Sequence, residues 1–62
     1  MQLNTKDMIK QKLLDAQENI RDYEEYAKQV DNREVNRAFK DFANETAMQA
    51  QKLQELLSKY DK

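Results

Sequence analysis

The sequence predicts an all-α protein, an antiparallel two-helix hairpin that dimerises into a four-helix bundle. Two observations carry this expectation in a chain of 62 residues. Apolar residues recur at steps of three and four through both halves of the chain, the spacing of one helix face. The two periodic halves are parted only by Asp31-Asn32-Arg33-Glu34, a stretch long enough for a turn and little else. One helical-hairpin domain over residues 1–62 follows.

The first helix is expected over about 5–30. Asn4 or Thr5 can cap it, because a short side-chain oxygen accepts a bond from a free backbone N–H. Asp7 then lies in the first turn, where the helix dipole favours a negative charge. Ile9, Leu13, Ala16, Ile20, Tyr23, Ala27 and Val30 form an unbroken seam. The residues between them are polar, with Leu14 and Tyr26 as the main outliers.

The turn is expected at about 31–33. Either Asp31 or Asn32 can cap the second helix, and Asp31 with Glu34 resembles a capping box. Asparagine is also the best substitute for glycine where a helix ends in a left-handed residue. The second helix follows over about 33–60, with a seam of Val35, Phe39, Phe42, Thr46, Gln49, Leu53, Leu56 and Tyr60. Ala38, Ala43, Ala47, Ala50 and Leu57 widen its stripe until it can touch more than one neighbour. Pairing about this turn sets residues level when their numbers sum to around 64. Ile9 then meets Leu53 and Leu56, Ile20 meets Phe42 and Thr46, and Ala16 meets Thr46 and Gln49. The same register brings Glu25 near Arg37 and Asp22 near Lys40, exposed pairs contributing about 0–1 kcal/mol each.

Two helices alone bury only one side each. A chain this small needs staples, a metal or a partner, and without cysteine it has no staples. Two hairpins closing four stripes on one core are the simplest remedy, so a homodimer is expected, with another helical protein as the alternative cover.

Composition removes most chemistry. Histidine and cysteine are absent, so no imidazole base, thiolate nucleophile, zinc finger or iron–sulfur ligation is available. Without glycine there is no phosphate-cradling loop. Eleven basic and twelve acidic residues leave a net charge of −1, which gives no general attraction to nucleic acid. Lys6, Lys10 and Lys12 form the only basic cluster and read as a solvated face. No apolar run approaches the roughly 20 residues of a membrane span, and the opening residues lead into no apolar segment. The expected compartment is cytoplasmic, with no enzyme activity, no cofactor and no small-molecule substrate.

The residues Tyr23-Glu24-Glu25-Tyr26-Ala27, a short Asp/Asn turn, and Phe39-Lys40-Asp41-Phe42-Ala43-Asn44-Glu45-Thr46-Ala47-Met48-Gln49-Ala50-Gln51-Lys52-Leu53 resemble one half of a rubrerythrin or ferritin-like protein. The resemblance covers roughly residues 13–57. It implies a bundle of two hairpins around a di-iron centre. Each family hairpin supplies a glutamate seven residues before the first tyrosine of Tyr-x-x-x-Ala. It also supplies a Glu-x-x-His pair, seven and ten residues after the phenylalanine of its second helix. Here those positions hold Ala16, Thr46 and Gln49, so the ligands are replaced.

Other candidates have plain readings. Asp15, Glu18, Asp22 and Glu25 make an acidic stripe that could hold a hard cation but reads as a solvated face, and Glu45 is expected outward with it. Tyr23, Phe39 and Phe42 are expected to pack, and Met8 and Met48 to fill gaps. Ser58 and Thr5 lack an activating base. Gln49 is expected to be a buried amide, paired with Thr46 or with Gln49 of a second chain. The expected function is a non-enzymatic, self-associating structural or interaction module. The alternatives are a di-iron protein with non-standard ligands and a small regulator covering a larger helical partner.

Overall fold

The computed structural model describes residues 4–60. Two helices, α1 (Thr5–Gln29) and α2 (Arg33–Ser58), pack side by side as an antiparallel hairpin. Each is capped by asparagine. Asn4 Oδ1 accepts from the Asp7 N–H at 2.8 Å, and Asn32 Oδ1 accepts from the Val35 N–H at 3.0 Å. Asp31 and Thr5 are therefore not the caps. The Asp31–Glu34 capping box does not form, because the third residue of α2 is Val35 and not a carboxylate. No left-handed residue ends α1 either: Val30 is extended (φ −84°, ψ 139°) and its N–H closes on the Tyr26 carbonyl at 3.1 Å. Among the described residues no positive φ occurs, so a chain without glycine turns here without strain.

The α1 seam is the expected one. Leu13, Ala16 and Ala27 are buried, and Ile9, Ile20, Tyr23 and Val30 are half-buried. The α2 seam is shifted. The row facing α1 is Asn36, Phe39, Ala43, Thr46, Ala50, Leu53 and Leu57, with Ala43 buried and the others half-buried. Val35, Phe42, Gln49 and Tyr60, expected in that seam, are exposed, and Leu56 is half-buried at its edge. The reason is steric and polar together. Ala43 and Ala50 let the helices approach closely, and the Asn36 side-chain amide donates to the carbonyl of Ala27 across the hairpin. That bond fixes how α2 is rotated about its own axis. The Tyr23 ring then sits against both Phe39 and Phe42, at centroid distances of 5.7 and 5.6 Å. These pairs are level when their numbers sum close to 64, the register the turn dictates.

Charges play a smaller part than expected. The ion pairs among the described residues include Lys12–Asp15 at 3.7 Å and Lys52–Glu55 at 3.8 Å, both one turn apart on a single helix. The expected cross-helix pairs Glu25–Arg37 and Asp22–Lys40 are absent among the described residues. The hairpin measures 45 × 24 × 12 Å. Its least dimension is the diameter of one helix with side chains, about 10–12 Å. Among the described residues nothing covers either broad face, and no side chain is fully buried.

Candidate functional site

The feature built by this packing is an apolar surface on α2. A helix in seven-residue register presents two adjacent rows that share members. On α2 one row (Asn36, Phe39, Ala43, Thr46, Ala50, Leu53, Leu57) meets α1. The next row is Val35, Phe39, Phe42, Thr46, Gln49, Leu53, Leu56 and Tyr60. It opens onto one broad face of the hairpin, with Val35 37%, Phe42 41% and Tyr60 51% exposed. Tyr23 belongs to the same face, because its ring touches Phe42. The positions of α1 that flank this face are Thr5, Lys12, Asn19 and Tyr26, all exposed and mostly polar. On the opposite broad face a depression of about 670 Å³ is lined by Glu24, Ala27, Lys28, Val30, Asn36 and Lys40.

The surface area states what this arrangement lacks. The chain exposes 5363 Å², whereas a compact protein of 7.4 kDa exposes about 4,200 Å². Its radius of gyration is 14.3 Å, against about 10.5 Å for a globule of this length. A globule of twice the mass exposes about 7,000 Å², so two hairpins would have to bury about 3,700 Å² together to become compact. That is within the range of obligate homodimers, about 2,000–5,000 Å².

The positions that the ferritin-like resemblance assigns to iron do not form a donor set. Ala16 is buried and carries no donor atom. Thr46 gives its hydroxyl proton to the Phe42 carbonyl at 2.7 Å on its own helix. Gln49 is exposed in the hairpin, and Thr46, the partner expected for it within the chain, donates instead to Phe42. These residues do not fit a di-iron centre. Among the described residues no three acidic side chains cluster to hold a metal ion. Glu18, Asp22, Glu25 and Glu45 are exposed, while Asp15 is half-buried, ion-paired to Lys12, and accepts from the Gln11 amide at 3.1 Å.

The remaining candidates have local roles or none. Ser58 donates to the Glu55 carbonyl at 2.7 Å, closing the last turn of α2. Met8 and Met48 are 53% and 70% exposed, so they fill no gap in the hairpin. Sequence reasoning missed Asn36, the polar member of an otherwise small and apolar row. The signal available was its seven-residue spacing from Ala43, Ala50 and Leu57. No helix among the described residues is long and apolar enough to cross a membrane. Comparison with protein-family models, with curated proteins and with solved structures finds no match.

Proposed function

We propose that this chain is a cytoplasmic, non-enzymatic structural module whose activity is to associate with itself, two hairpins making one four-helix bundle. In this reading it is a metal-free counterpart of half a rubrerythrin or ferritin-like bundle. One observation carries the proposal: the apolar row of α2 lies open on a hairpin one helix thick. Burying apolar surface contributes about 25 cal/mol per Å², so leaving that row in water while a second copy offers the same row is unfavourable. The replaced ligand positions agree with assembly by packing alone. Sedimentation equilibrium at micromolar concentration, in buffer with a chelator, tests the proposal. A species of twice 7.4 kDa is expected. A monomer under these conditions would overturn it and would transfer the apolar row to a different helical partner.

A further inference from the structure

We infer that the second copy seats its α2 antiparallel on the first α2, with the two turns at opposite ends and Gln49 on the two-fold axis. This rests on the self-association just proposed and specifies its geometry. Two hairpins meeting on their apolar faces have two symmetric choices. With both turns at one end, α2 lies on the partner's α1, and Phe42 and Leu56 meet the row containing Lys12 and Asn19. With the turns at opposite ends, α2 lies on α2, and the apolar row meets itself.

Gln49 is flanked on its row by one large apolar residue on each side at equal spacing. Phe42 stands seven residues before it and Leu56 seven after. Glu45 stands four before and Lys52 three after, both exposed on the flank of the row. A two-fold interface pairs residue i with j and j with i. An axis at Gln49 therefore sets Phe42 level with the other copy's Leu56 twice, and brings Glu45 to within one residue, about 1.5 Å of rise, of level with its Lys52 twice. It also sets the two Gln49 amides together, each able to donate to the other, so neither is buried unsatisfied. An axis at the midpoint of α2 would instead place Glu45 opposite its own copy, a like-charge contact. A polar residue in one layer of an apolar seam is a known means of fixing register and orientation at some cost in stability.

The absence of cysteine permits a direct test with the whole chain. An Asp31→Cys variant carries a spin label beside the turn, and pulsed dipolar spectroscopy reads the label-to-label distance in the assembled protein. At 1.5 Å per residue, opposite turns with the axis at Gln49 lie about 50 Å apart. Turns at one end give less than about 30 Å, since neighbouring helices lie 8–10 Å apart. The register is read by mixing Glu45→Lys with Lys52→Glu and weighing the product by native mass spectrometry at about 0.15 M salt, where the opposite net charges of the variants are screened beyond about 8 Å. Within one helix these positions lie seven residues apart, too far to pair. An α2–α2 contact about Gln49 then lets the variants complement each other at short range. The expected result is the long distance, with heterodimer clearly above the statistical half. A short distance, or a statistical mixture, in a protein of dimeric mass would overturn this geometry and leave self-association standing. A monomeric mass with no dipolar signal would overturn both.

Discussion

At the residue scale the hairpin depends on three asparagines. Asn4 and Asn32 satisfy free N–H groups at the helix starts, and Asn36 ties α2 to the Ala27 carbonyl near the turn. Asn32→Ala is expected to destabilise the hairpin by about 1 kcal/mol in urea denaturation. Asp31→Ala, beside it, should change stability by less than about 0.5 kcal/mol, because Asp31 caps nothing. Equal losses at both positions would reassign the cap. The sequence offered Asp31 and Asn32 equally. The choice fell to Asn32 because only its side chain reaches the Val35 N–H while the backbone stays extended. Gln49 gives the second residue-scale prediction. Gln49→Leu removes the one amide from an exposed apolar row, so it should raise the melting temperature and broaden the spin-label distances into both orientations. A lower melting temperature would mean that the amide pair is fully satisfied and contributes more than the leucine that replaces it.

At the element scale α1 was legible and α2 only partly so. The α1 seam is flanked by polar residues, so one rotation of the helix buries it and any other exposes it. The α2 stripe is wider. Ala43, Ala50 and Leu57 on one edge and Val35, Phe42 and Leu56 on the other satisfy the same three-and-four spacing. Periodicity cannot say which edge meets α1. The close approach over Ala43 decided it, and this can be measured. Ala43→Leu should cost about 1–3 kcal/mol by overpacking a site that is 6% exposed. Ala47→Leu, on the exposed side of the same helix, should cost less than about 0.5 kcal/mol. Urea titrations of both variants beside the parent chain would check the contrast. Equal effects would mean that the helices are not in close contact at Ala43.

At the scale of the whole molecule, thickness is the governing quantity. A layer 12 Å deep has no interior, and its most buried residues are Leu13 and three alanines. If the proposed self-association supplies the missing interior, stability depends on protein concentration. Thermal melts by circular dichroism are expected to shift upward with concentration, as mass action requires of a fold completed by its own copy. Phe42→Glu should abolish that dependence and leave a monomer with reduced helix content. The corresponding change at Met48, which is 70% exposed and lies off the apolar row, should leave the melts unchanged. A melting temperature independent of concentration would exclude self-association as the source of stability.

The sequence by itself determined that there are two helices, where they begin within a residue or two, that they run antiparallel, and which face of α1 is buried. Each follows from local causes: three-and-four periodicity, short polar caps and a turn too brief for any other path. Only the tertiary structure decided which edge of the α2 stripe is inside, which asparagine caps and which one crosses, and that Gln49 lies open on the hairpin. Those outcomes rest on the fit between two surfaces, where small residues such as Ala43 sit in the contact and the Asn36 amide finds a carbonyl across it. A pattern of apolar and polar letters does not encode that fit.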